Sequence, residues 1–404
     1  MKRILVPRVE NARFAPSLPE SATSALAANE ILRLGNPIAI LLEESLPKAE
    51  EWAEDTAALI EEISSSVFID FQTFDHPPLD SNPDAFERSC DRAATLSSLL
   101  GAQKTQDGDD KKNLILIAAT PDSILGPCPP PEDHKKSEIE ISPGTRLDFD
   151  EFCHSLAQNL GYSSEILCEE PGQFAIRGGL VDVYPVNGRE PIRIDFFGNE
   201  VEEIRSFDPT TQRTTGQLSG ITIACCGPID SHGREGEFFR YLKEGVTWVL
   251  REPEKLVALY PLCFHEAERK KDGKANFSLS WESKGKNHFV GTSEINAGSG
   301  IFENSEEMDA KVFNLSDFRT PPDHSSINLE RLENEKFIRT NFLFHLLQKQ
   351  KEKHEVIIAA GADSERKRII EIIKEESSLE KLKPRFLPIG LREVFSANPG
   401  KASD

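Results

Sequence analysis

The sequence predicts a multidomain α/β protein in which a parallel α/β domain is interrupted by a small antiparallel α+β domain and followed by a partial small α/β domain. Three observations carry that reading. Residues 1–125 alternate helix-period segments with short apolar runs, the pattern of a parallel sheet covered by helices. Residues 139–225 are strand-rich, with turn signals at a spacing of about 8–12 residues. From residue 328 a helix, an apolar strand and a second helix begin another α/β unit with no complete sheet behind them. The length of 404 residues fits two to four domains at roughly 100–200 residues each.

In chain order, Ser17-Leu18-Pro19-Glu20 reads as a capping box, since the Ser hydroxyl and Glu carboxylate can satisfy orphan amides at a helix start. That helix runs to Leu34 and stops at Gly35. A buried strand (38–42), a helix (46–63), a strand (67–71), a helix (83–100) and a strand (114–119) follow. A polar loop is expected at 103–112, and 127–136, with four prolines, marks an exit from the first domain. A helix at 148–160 precedes strands at 173–177, 180–184, 191–197 and 201–207, with Asn187-Gly188 and Gly198-Asn199 supplying turn conformations. Beyond 227 the expected elements are a strand at 246–250 and a helix at 254–259, then loop and short strands over 270–300. The last unit reads as helix 328–351, strand 356–360, helix 363–376 and strand 385–388.

Composition excludes several classes. With 47 Lys plus Arg against 68 Asp plus Glu, the formal charge of -21 opposes autonomous DNA binding unless basic residues gather on one face. The N-terminal residues lack the apolar stretch of about 7–15 that a secretory signal needs, and no run approaches the ~18 apolar residues of a spanning helix. A cytoplasmic chain with no membrane partner is expected. The seven cysteines are scattered without C-x-x-C pairs, so reduced thiols are expected, and Cys225-Cys226 reads as packing within an apolar strand.

No catalytic constellation emerges. No window fits G-x-x-x-x-G-K-[ST]; Gly273-Lys274, Gly285-Lys286 and Gly400-Lys401 lack both the preceding glycine and the hydroxyl residue. His265-Glu266 has no second histidine at zinc-protease spacing, and Gly298-Ser299-Gly300 lacks the spacing of a nucleophile elbow. Asp150-Glu151 opens a helix, where it complements the dipole. Catalytic residues, cofactors and metal ligands are therefore expected to be none.

The informative segment runs from Glu169 to Pro209. Strand parity places Ile192, Ile194 and Phe196 on one face, the core, and Arg193, Asp195 and Phe197 on the other. A phenylalanine on a polar face, close to a carboxylate and an arginine, has the make-up of an interface hot spot. Residues 139–225 also hold six arginines (Arg146, Arg177, Arg189, Arg193, Arg205, Arg213) and no lysine, and arginine suits bidentate carboxylate pairing across an interface. The competing reading is that these arginines pair with acids of their own segment and that Phe197 caps a hairpin. Patterning leaves both open.

The run PGQFAIRGGLVDVYP followed by PIRIDFFGNEVEEIRSFDPTTQRT resembles the UvrB-like module of bacterial transcription-repair coupling factors, in its UvrA-binding domain. The resemblance implies a degenerate UvrB-like domain 1A over 1–138, a UvrB interaction domain over 139–225, a domain 1B over 226–318, and an incomplete small α/β domain over 319–404. It implies that Arg177, Arg193 and Phe197 dock UvrA, with a kink or bulge before Gly178-Gly179 aiming Arg177 at the docking face. Alanine at any of the three is then expected to weaken UvrA binding by about 2 kcal/mol while barely changing fold stability. UvrB itself carries a P-loop and a tyrosine-rich hairpin. Here Ser17 to Ser24, in the P-loop's place, has no glycine or lysine, and the chain's four tyrosines (Tyr162, Tyr184, Tyr241, Tyr260) all follow the first domain. These departures favour the coupling factor's adaptor over a nucleotide-dependent helicase relative of UvrB. In the family's complete protein, RNA polymerase and double-stranded DNA are bound by domains beyond these 404 residues, and the same docking face can clamp the motor domains in cis.

Overall fold

The computed structural model describes residues 12–15, 18, 20–77, 83–101, 112–226, 237–242, 245–264, 287–293, 306–307, 310–313, 329–352, 356–359, 363–387 and 394–397. Its first unit comprises β1 (Ala12–Ala15), α1 (Glu20–Leu34), β2 (Ile38–Leu42), α2 (Leu46–Ile63), β3 (Val67–Phe74), α3 (Pro83–Gly101), β4 (Lys112–Ala119), α4 (Pro121–Leu125) and α5 (Pro131–Lys136). Every residue of β2 is buried, as the apolar run Ile38-Ala39-Ile40-Leu41-Leu42 requires of a strand covered on both faces. Gly35 ends α1 at φ +64, donating its amide to the Ile31 carbonyl at 2.9 Å. Ser17 and Pro19 of the expected capping box lie outside the described residues, as do the glycine-lysine pairs, His265 and Gly298-Ser299-Gly300.

The second unit holds β5 (Ile139–Ile141), α6 (Phe149–Gln158), β6 (Ser163–Ser164), β7 (Gln173–Arg177), β8 (Leu180–Val183), β9 (Ile192–Phe197), β10 (Glu200–Phe207), β11 (Thr214–Gln217) and β12 (Ile221–Ile223). Asp148 caps α6 by accepting from the Glu151 amide at 3.0 Å. Six strands form one sheet in the order β11-β10-β9-β8-β7-β6, and β5 pairs with β12. Beyond it come β13 (Val246–Arg251), α7 (Pro253–Leu259), α8 (Pro261–Phe264), β14 (His288–Thr292), β15 (Glu306–Glu307), β16 (Ala310–Phe313), α9 (Leu329–Lys351), β17 (Ile357–Ala359), α10 (Asp363–Glu375), β18 (Arg385–Leu387) and β19 (Val394–Ala397).

The large sheet has the order β15-β1-β14-β13-β2-β4-β3, all its neighbours parallel. Two strands from the stretch assigned to domain 1B, β13 and β14, lie between β1 and β2. The parallel core is thus assembled from both sides of the antiparallel insert. Trp248 of β13 stacks on Phe289 of β14 at 6.2 Å, with both rings buried in that core. The insert joins through α3, whose Cys90 and Ala93 belong to the insert's hydrophobic core, and through Arg189, whose guanidinium sits 3.9 Å over the Phe68 ring of β3. Among the described residues of the C-terminal unit, β17 pairs in parallel with β18 over a small core that includes Leu343, Leu347, Ile372 and Leu382, and β19 pairs antiparallel with β16 of the preceding stretch.

The proline-rich exit from the first unit is packed rather than extended. His134 of α5 is buried; its Nε2 lies 2.9 Å from Ser97 Oγ of α3, and its ring meets Tyr241 edge-on at 6.2 Å. Burial pushes the His134 pKa down to about 4, whereas an unfolded histidine titrates near 6.5. Only the unfolded chain takes the proton in between. The His134 contribution is therefore complete above the unfolded pKa and falls as pH drops toward 4, by up to about 3 kcal/mol. Urea unfolding at pH 7.0 and about pH 4.5 should show this loss in the wild type and a smaller one in His134→Gln; equal losses would show that other groups set the acid sensitivity.

Candidate functional site

The six-stranded sheet presents its inner face to α6, while its outer face carries a small buried cluster around Asp182 beside exposed side chains. The alternation Ile192, Ile194, Phe196 is buried, whereas Arg193 and Asp195 are half-buried and Phe197 is 81% exposed. Antiparallel register then builds rows on the outer face. One row crosses Ala175, Asp182, Arg193 and Arg205; the next crosses Arg177, Leu180, Asp195 and Glu203. Arg177 reaches the outer face by plain parity with Ala175, two residues before it, in a regular pairing with Leu180. No kink or bulge is needed, and the register shifts lie in β10 instead. Gly178, at φ +64, supplies the turn between β7 and β8 that an L side chain would strain.

Asp182 is the residue that sequence reasoning missed. It sits between valines on β8, directly opposite Arg193, and its side chain is 0% exposed. Arg193 grips it with two parallel bonds, Nε to Oδ1 at 2.7 Å and Nη2 to Oδ2 at 2.8 Å. The bond to Asp182 raises the Arg193 pKa further and holds the guanidinium charged. The same guanidinium lies 4.7 Å over the Phe207 ring and 3.5 Å from Gln212 Oε1; Gln212 itself adopts φ +59. Beneath them Cys168, Ala175 and Phe207 form a small second core, where burial, followed by the nearby Asp182, pushes the Cys168 thiol up to about 12. The only available signal was an aspartate alternating with buried valines, and period 2 does not name its cross-strand partner.

The three expected docking residues therefore differ in kind. Phe197 is exposed beside the β9–β10 turn. Arg177 has a side chain 38% exposed, with its Nε 3.9 Å from Asp182 Oδ2. Arg193 is only 16% exposed, bound to Asp182 and packed on Phe207. The expectation that Arg193→Ala would barely touch stability is corrected here, because it would strand a buried carboxylate. Other arginines of the insert are also engaged locally: Arg205 with Asp195 at 3.6 Å and Glu203 at 3.3 Å, and Arg146 with Glu200 at 3.9 Å. The internal-pairing reading thus holds for these groups, while Phe197 does not cap against the core.

In the large sheet, ligands of parallel α/β folds are expected at the carboxyl ends of the strands. There the link from β1 to α1 buries Leu18, whose amide donates to the Ser293 carbonyl at 2.8 Å. Glu43, at the end of β2, is also buried, and burial raises its pKa although Arg251 lies 4.0 Å away. His76 and Asp122 pair across the neighbouring strand ends at 2.6 Å.

These features define a six-stranded interaction domain carried by a parallel α/β core. A family model described as UvrB interaction domain matches residues 139–226. The chain is 27% identical over 233 residues to the transcription-repair-coupling factor of Haemophilus influenzae, covering 57% of this chain and 19% of that protein. It is 35% identical over 108 residues to the Bacillus subtilis transcription-repair-coupling factor (27% of this chain, 9% of the relative) and 33% over 133 residues to that of Staphylococcus haemolyticus (33% and 10%). The chain is similar to the N-terminal, UvrB-like module of transcription-repair coupling factors, and it matches at most 19% of the length of these relatives. No helix among the described residues is long and apolar enough to cross a membrane.

Proposed function

We propose that this chain is a non-catalytic, UvrA-recruiting adaptor of a transcription-repair coupling factor, linking stalled RNA polymerase to nucleotide excision repair in the cytoplasm. The observation that carries the proposal is Phe197, a large aromatic 81% exposed on the outer face of the very segment that matches the UvrB interaction domain. Exposed aromatics flanked by arginine are the usual anchors of interfaces. In this reading Phe197 and Arg177 touch UvrA, and Arg193, clamped by Asp182, shapes the surface between them. Polymerase and double-stranded DNA would be met by other domains of a full-length protein, and an intramolecular contact with its motor would use the same face.

Two features support a non-catalytic role. A triphosphate needs several free backbone amides at the turn between a first strand and helix. Here the Leu18 amide is spent on the Ser293 carbonyl, the Leu18 side chain is buried, and the neighbouring strand end carries Glu43. The test is a titration of purified UvrA into the chain, with nucleotide binding measured on the chain alone. Saturable UvrA binding without ATP uptake by the chain is expected. Micromolar ATP binding with turnover would favour the UvrB-like helicase reading, and no UvrA binding would end the adaptor reading.

A further inference from the structure

We infer that Gln212, in the loop between β10 and β11, is a positioning residue for the docking face: together with Asp182 it engages three N–H groups of Arg193, so that a partner meets this arginine through Nη1 alone. The inference rests on the adaptor reading above. Gln212 adopts φ +59, in the left-handed region, and Gln212 and Glu252 are the only residues other than glycine found there among the described residues. A side chain is disfavoured in that conformation and glycine is not, so the glutamine is held against its backbone preference.

The loop closes through Asp208. Its Oδ1 accepts from the Thr211 amide at 2.6 Å and from the Thr211 hydroxyl at 2.8 Å. The Gln212 amide donates to the Asp208 carbonyl at 2.8 Å, and the Asp208 amide donates to the Arg213 carbonyl at 2.9 Å. These four bonds fix the backbone and need nothing from the Gln212 side chain. That side chain, half-buried, is divided between two partners. Its Nε2 donates to the Pro209 carbonyl at 2.7 Å, which assigns the donor end of the amide to the loop and leaves Oε1 as the acceptor end, 3.5 Å from Arg193 Nη2.

The consequence for Arg193 follows from counting donors. A guanidinium carries five N–H groups, one on Nε and two on each Nη. The Nε group and one of Nη2 go to Asp182 at 2.7 and 2.8 Å, and the second of Nη2 faces Gln212. Among the described residues every Arg193 hydrogen bond leaves from Nε or Nη2, so the two N–H groups of Nη1 remain. A two-nitrogen grip by a partner carboxylate would need the outer Nη2 hydrogen, which Gln212 engages. The acceptor that fits is a single carboxylate or carbonyl oxygen at Nη1, in keeping with a side chain only 16% exposed.

The test is titration of purified UvrA against the full chain and its Gln212→Gly, Gln212→Met and Phe197→Ala variants, with both Gln212 changes repeated on Arg193→Lys and a thermal melt of every variant. Gln212→Gly removes the acceptor and relieves the left-handed strain, so it should weaken binding by about fivefold with the melting temperature unchanged or higher. Gln212→Met fills similar space without an acceptor and should weaken binding equally. On Arg193→Lys, which has no Nη2, neither change should weaken binding further, a coupling that a role confined to the loop would not produce. Affinity within about twofold of the wild type in both Gln212 variants, beside a loss in Phe197→Ala, would overturn the positioning role and leave the adaptor reading standing. An equal further loss on Arg193→Lys would mean that the loop itself meets the partner, and a loss that tracks a lowered melt in Gln212→Gly would mean that the side chain serves the fold; either would overturn the inference. Failure of the wild type to bind UvrA would overturn both readings.

Discussion

Arg193→Ala is expected to destabilise the insert by about 3–5 kcal/mol, the cost of leaving a buried charge without its partner. The cause is Asp182, fully buried and held by Arg193 through two bonds of 2.7 and 2.8 Å. Arg177, with its Nε 3.9 Å from Asp182 Oδ2, is too distant to replace both bonds. A binding loss measured on Arg193→Ala alone would therefore mix lost contact with lost structure. The double variant Asp182→Ala with Arg193→Ala removes the stranded carboxylate and should recover part of the stability, as a coupled pair requires. Denaturant unfolding of the two single variants and the double variant measures this. Purely additive losses would show that the ion pair contributes no coupling to the fold.

The neighbours Phe196 and Phe197 should separate fold from surface. Phe196 is buried, with its ring edge-on to Phe149 at 5.3 Å and tilted against Phe152 at 5.7 Å. Phe196→Ala should cost about 3–5 kcal/mol through lost burial and the cavity left behind. Phe197→Ala deletes a ring standing in water and should leave the melting temperature within a degree or two, since about 1 kcal/mol would already move a domain of this size by roughly 4–8 °C. On the adaptor reading, that same change should weaken UvrA binding by about 2 kcal/mol, roughly thirtyfold. A melt of Phe197→Ala as depressed as that of Phe196→Ala would mean that the aromatic serves the fold.

The local sequence determined the faces and the kinds of element in this protein. Ile38 to Leu42 has no polar alternate, so it had to be a strand covered on both sides. The alternation from Ile192 to Phe197 assigned core and surface residue by residue, and the observed burial follows it. The strand expected at 67–71 extends to Phe74, because pairing with β4 continues the ladder to Ala119.

Neighbours across space were decided only by the tertiary structure. Nothing local in Val246 to Arg251 says that it pairs with Ile38 to Leu42, or that His288 to Thr292 flanks it on the other side, because strand order depends on crossovers that span the entire insert. Asp182 became the partner of Arg193 through the antiparallel register of β8 with β9. Periodicity fixes which way a side chain faces, since it follows from backbone geometry one residue at a time. Which side chain it meets there depends on contacts between distant segments, which exist only once the sheet has formed.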